Sequence, residues 1–117
     1  MKYMKSTPFK DVVSRAEKII QRFEQIEGRP WGAEGACLEL SKQVGELARC
    51  ILMQEKYYFS GRDRNPLYTT GIKQIGDELA DVLYAIIRIA RHYNISLEEA
   101  HIHACEDAEA ALEKKYR

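Results

Sequence analysis

Glu39, Gln43 and Glu46 recur four and three residues apart in LELSKQVGELARCI, and Glu78 and Asp81 stand three apart in IKQIGDELADVLYAIIRIA. On a helix that turns about 100° per residue, the first three fall within roughly 60° of one another. Residues three and four apart touch on a helix, so Glu78/Asp81 and Asp77/Asp81 are like-charge pairs, each mildly destabilising. No Lys or Arg lies three or four positions from Glu78 or Asp81 to relieve them. Two environments suit such a set. One is a solvated acidic face; the other is a site for a hard, oxygen-seeking divalent cation, Mg²⁺ or Mn²⁺. A helix dipole favours anions only within the first turn, and Glu78 and Asp81 are expected beyond it.

The elements that must position these acids are helices. STPFKDVVSRAEKIIQRFEQIEG opens with Thr7 as N-cap and Pro8 at the first helical position, then repeats apolar residues at helical spacing until Gly28. A second helix is predicted from Ala33 to Tyr58, with Cys37, Leu40, Val44, Leu47 and Ile51 as its apolar seam, to one side of the acids. The turn-rich FSGRDRNPLYTTG is a loop, and a third helix is predicted from Ile72 to Tyr93 with Ile75, Leu79, Val82 and Ile86 as its seam. Ser96 and Glu99 form a capping box for a fourth helix from Leu97 to Lys115. Four helices without a strand signal imply an all-α, four-helix bundle in which residues 1–117 form one domain. An antiparallel pairing of the second and third helices would gather Glu46, Glu78 and Asp81, with Glu39 and Gln43 nearby.

Composition narrows the partners. A formal net charge of +0 leaves no global field to draw the chain to a nucleic-acid polymer or an anionic membrane, so binding must be local. No apolar run approaches membrane-spanning length, and the N-terminal MKYMKSTPFK lacks a signal-like apolar stretch, which points to the cytoplasm. Cys37, Cys50 and Cys105 have neither disulfide-framework nor zinc-knuckle spacing and read as reduced thiols. Apolar residues on more than one side of the first and third helices, with Ile87 about 100° from Ile86, predict a homo-oligomer.

The stretches KQVGELA and GDELADVLYAIIRIA, with YNISLEEA after them, resemble the MazG-like family of all-α nucleoside triphosphate pyrophosphohydrolases from about Trp31 to Ala100. The family pattern is Glu-x-x-Glu on one helix and Glu-x-x-Asp on the next. Glu46, Glu78 and Asp81 match it; Gln43 replaces the first Glu, and Lys42 stands where another acid often precedes it. The resemblance implies Mg²⁺- or Mn²⁺-dependent cleavage between the α and β phosphates, giving a nucleoside monophosphate and pyrophosphate. It implies Glu46, Glu78 and Asp81 as metal ligands, Glu46 and Glu39 as catalytic carboxylates, and Glu39 as acceptor of the attacking water's proton. It also implies a homodimer or homotetramer. The departure at Gln43 leaves open a homologue that binds nucleotide, or serves as an interaction module, without turnover.

Further residues carry two readings each. Trp31 precedes the second helix, where relatives place residues that touch the base; it serves as a stacking platform or as a staple for the helix start. Arg88 meets substrate phosphate or pairs with Asp81. Lys114, Lys115 and Arg117 resemble phosphate-contacting tails, and equally suit the negative end of a helix dipole. Gln43 joins the substrate-binding set through its carbonyl oxygen. Arg62 and Arg64 lie in a loop that either flanks the site or is plainly solvated. His101 and His103, two apart, face different sides of a helix and do not make a metal pair.

Overall fold

The computed structural model of the chain describes residues 6–58 and 71–116; the loop arginines Arg62 and Arg64, and Arg117, lie outside the described residues. Four helices run in order, α1 Phe9–Glu27, α2 Ala33–Gln54, α3 Ile72–His92 and α4 Leu97–Tyr116, and no strand occurs among the described residues. The all-α expectation holds, and most helix starts fall where the caps and periodicity place them.

Two ends differ from the sequence expectation. Pro8 itself occupies the N-cap of α1 with an extended ψ of 141°, so the helix starts one residue later than a Thr7 cap would set it. The Pro8 carbonyl accepts from the N–H groups of Asp11 and Val12 at 3.0 and 3.3 Å. At the other end of α2, the helix stops at Gln54 instead of reaching Tyr58. Lys56 takes a left-handed φ of 58°, its N–H reaches the Met53 carbonyl at 3.1 Å, and the Tyr57 N–H reaches Leu52 at 3.0 Å. This paired closure satisfies the last carbonyls and turns the chain out of the helix. Asn94 ends α3 in the same way, with φ 54° and an Ile95 N–H to Ala90 carbonyl bond of 2.8 Å. Gly28 closes α1 at φ 82°, as its position after the apolar pattern predicts. The Ser96 Oγ accepts from the Glu99 N–H at 3.2 Å, so the cap of α4 forms as read.

α3 is the central element. α2 packs along it extensively, and α1 lies against it over a shorter contact. Its inward residues occupy two sides: Ala85 on one, Ile87 and Ala90 on the other, all at most 5% exposed. The second apolar side of α3, expected to face another chain, is therefore covered within this one.

The seam of α2 also needs correcting. Ala36 and Cys50 are buried and Leu40 and Leu47 half-buried, whereas Cys37, Val44 and Ile51 face outward. The packed face is rotated toward the acids, so that Glu39, Gln43 and Glu46 border the α2–α3 contact and are themselves half-buried. Small side chains suit the choice: Ala36 and Cys50 on α2 and Ala85 on α3 are all buried, and such residues permit a close helix approach that a branched seam would hold apart. α4 hardly touches the other three helices, and its side chains from Glu99 to Lys115 are exposed.

Candidate active site

Packing α2 against α3 brings Glu39 and Gln43 of α2 to the same cavity as Asp81 of α3. The Gln43 Nε2 donates to Glu39 Oε1 at 2.9 Å, so Gln43 orients the Glu39 carboxylate instead of repelling it; Lys42 Nζ lies 3.8 Å from the same oxygen. One turn on, Glu46 Oε2 accepts from both Nη2 and Nε of Arg49, at 3.0 and 3.3 Å. That hydrogen bond is the chief cause holding the Arg49 guanidinium above its ordinary pKa, and the charge of Glu78 on α3 adds to it. Arg49 is thus a cation shared electrostatically between the acids of α2 and α3. The spacing rules for a single helix overlook it from the α3 side because it arrives from the neighbouring helix. Its position three residues after Glu46 was the available signal.

Glu78 is half-buried, and its Oε2 is shielded from solvent with no hydrogen-bond partner among the described residues. A shielded carboxylate oxygen costs free energy unless a donor or cation meets it. Among the described residues no three His, Cys, Asp or Glu side chains stand close enough together to hold a metal ion. The donor chemistry nonetheless suits Mg²⁺ or Mn²⁺: carboxylate oxygens on two packed helices, one of them without a partner among the described residues.

Asp81 is exposed and lines a cavity of about 210 Å³ together with Glu39, Gln43, Trp31, Tyr84 and Arg88. Five of these six were singled out from the sequence. Tyr84 forms the wall between Asp81 and Arg88, and its spacing of three from Asp81 marked it for the same face. The Tyr84 hydroxyl is shielded from solvent and makes no hydrogen bond of good geometry among the described residues; burial raises its pKa, against the opposing charge and hydrogen-bonding reach of Arg88.

Arg88 is only 9% exposed. Its guanidinium carbon sits 4.4 Å from the centroid of the Trp31 ring and 5.8 Å from that of Tyr84, and Nη1 makes no hydrogen bond of good geometry among the described residues. No ion pair joins it to Asp81, so the commoner role for a helical arginine does not apply here. A desolvated cation on an aromatic face gains about 2 kcal/mol, which offsets part of the cost of burying the charge. Trp31 Nε1 donates to Glu27 Oε1 at 2.9 Å, which pins the ring across the start of α2. The staple and the cavity wall are therefore one residue. Behind it, Glu24 and Arg91 pair at 3.3 Å and tie α1 to α3, a link the sequence reading missed because the partners are far apart in the chain. Lys114 and Lys115, on exposed α4, do not line this cavity.

Comparison of the chain with models of known families, with curated proteins and with solved structures finds no match.

Proposed function

We propose that this chain is a metal-dependent nucleoside triphosphate pyrophosphohydrolase of MazG-like type. The observation that carries the reading is the cavity in which Glu39, Gln43 and Asp81 from two helices meet Trp31, Tyr84 and a buried Arg88. Its volume is below the roughly 300–1,000 Å³ of a whole-ligand pocket, so it takes one end of the substrate while the rest extends along the open groove. Trp31 offers the base a flat face, and Arg88 and Gln43 offer charge and amide groups to its polar edges or to phosphate oxygens.

Glu46, Glu78 and Asp81, which do not form a close group of three among the described residues, would have to draw together to hold Mg²⁺ or Mn²⁺, which would supply charge neutralisation for the phosphate oxygens. Glu39, oriented by Gln43, accepts a proton from the attacking water. The water oxygen bonds to phosphorus, the bond to the bridging oxygen breaks, and pyrophosphate leaves with a nucleoside monophosphate as the other product. Arg49 holds Glu46 through Oε2, so a cation binds Glu46 through its other oxygen or in competition with Arg49. The arginine is the counter-ion of the resting groove. The exposed apolar residues of α1 and α2 further support a homodimer or homotetramer, in which Lys114 and Lys115 of one copy can approach the groove of another.

The Arg49–Glu46 bond and Gln43 favour a second reading, a nucleotide-binding homologue without turnover. A panel of nucleoside triphosphates with Mg²⁺ or Mn²⁺, assayed for pyrophosphate, separates the two. Catalysis is expected with at least one of them, and Asp81→Asn is expected to lower it by at least a hundredfold, the scale of a lost charge-stabilising group. Nucleotide binding without pyrophosphate release would establish the second reading.

A further inference from the structure

α4 carries a pairing that the acidic groove does not use. His101 and Cys105, four apart on this exposed helix, bring Nε2 and Sγ to 3.7 Å. Zinc bound to a thiolate at about 2.3 Å and to an imidazole nitrogen at about 2.05 Å, at a tetrahedral angle, separates the two ligand atoms by about 3.6 Å. The contact is a thiol–imidazole hydrogen bond, and its separation also matches the bite of a tetrahedral zinc chelate. The ligand types agree with the geometry. Thiolate and imidazole select borderline-soft divalent ions over Mg²⁺ and Mn²⁺, which seek the oxygens of the groove.

We propose that His101 Nε2 and Cys105 Sγ form a two-point site for a zinc-class divalent cation on the open face of α4. Among the described residues no further His, Cys, Asp or Glu joins them in a group of three, so water fills the remaining positions. His103, two residues on, takes no part, as its spacing from His101 requires: it turns to Glu106 at 3.9 Å, on another side of the helix. Closing a ring across one helical turn also staples α4, which has almost no tertiary packing to hold it.

The test is titration of the reduced protein with Co²⁺, whose bond to a thiolate gives a near-ultraviolet charge-transfer absorption. The band is expected in the wild type and in Cys37→Ser, which removes the other exposed thiol. It should require at least tenfold more cobalt in Cys105→Ser and in His101→Ala. Zinc should displace it and excess Mg²⁺ should not. All the altered side chains are exposed, so folding is expected to persist, and circular dichroism checks it. Amide exchange across residues 101–105 should slow when zinc is added to the wild type and not to Cys105→Ser. Absence of the band, its loss in Cys37→Ser, or an unchanged titration in His101→Ala would overturn the proposal.

Discussion

At Glu46 the resting protein and the proposed cation can compete for one oxygen. Arg49 donates twice to Glu46 Oε2, yet both side chains are more than a third exposed, and such pairs contribute about 1 kcal/mol or less. Removing Arg49 should therefore cost little stability while freeing the carboxylate. Arg49→Gln is expected to melt within a few degrees of the wild type without metal, and to show a larger rise in Tm with millimolar Mg²⁺ or Mn²⁺. An equal or smaller rise, by calorimetry, would mean that Arg49 does not compete with a cation at Glu46. Tyr84 makes a separate prediction. Its hydroxyl is shielded and has only a loose approach to Arg88, so Tyr84→Phe should change the stability of the metal-free protein at neutral pH by no more than about 1 kcal/mol. Because burial raises the folded-state pKa, the phenol's contribution is fully present below the ordinary tyrosine value of about 10. It is lost as pH rises through the folded value, because the unfolded chain releases its proton first. Melting curves between neutral and strongly alkaline pH should show a shallower alkaline loss for Tyr84→Phe than for the wild type.

Helix ends offer the cleanest check at the scale of the element. Lys56 and Asn94 hold equivalent left-handed positions after α2 and α3, and Gly28 does so after α1. A side chain beyond Cβ meets a steric cost there of about 1–2 kcal/mol that glycine avoids and asparagine partly relieves. Lys56→Gly is accordingly expected to raise stability by about 1 kcal/mol, measured by urea denaturation at unchanged m-value. A loss instead would show that Lys56 contributes more through its side chain than its backbone conformation costs. The turn residues that place the termini were legible in the sequence at Gly28 and Ser96, where composition announces them. Lys56 was not, since nothing in its chemistry marks a left-handed residue. That conformation follows from how the chain leaves the α2–α3 contact.

As a whole, the single chain is open. Its radius of gyration is 18.0 Å, against about 13 Å for a compact domain of this length. Phe23, Ile26, Val44 and Ile51 are 43–73% exposed, and α4 stands almost alone. A second copy that covered α1, the outer flank of α2 and part of α4 could bury the roughly 1,600 Å² typical of a stable interface. Sedimentation at micromolar concentration is expected to give a dimer or larger. A sharp monomer boundary with helical circular dichroism intact would show that these faces stand in water.

Sequence alone determined the all-α class, the number of helices, most of their starts and the placing of Glu39, Gln43 and Glu46 on one side of α2. Those features depend on neighbours within about one turn, where hydrogen bonding and capping are local. Which side of each helix turned inward was decided only by the tertiary structure. α2 carries two adjacent apolar flanks, and the one with Ala36 and Cys50 is buried while the branched line through Val44 and Ile51 faces outward. That choice drew the acids to the edge of the packed contact and brought Arg49 within electrostatic reach of Glu78. Across α1 and α3, packing laid Trp31 over Arg88. Each such contact joins groups remote in the chain, so no periodicity within one helix encodes it. It arises when helices compete to bury surface and charges find counter-charges across the contact.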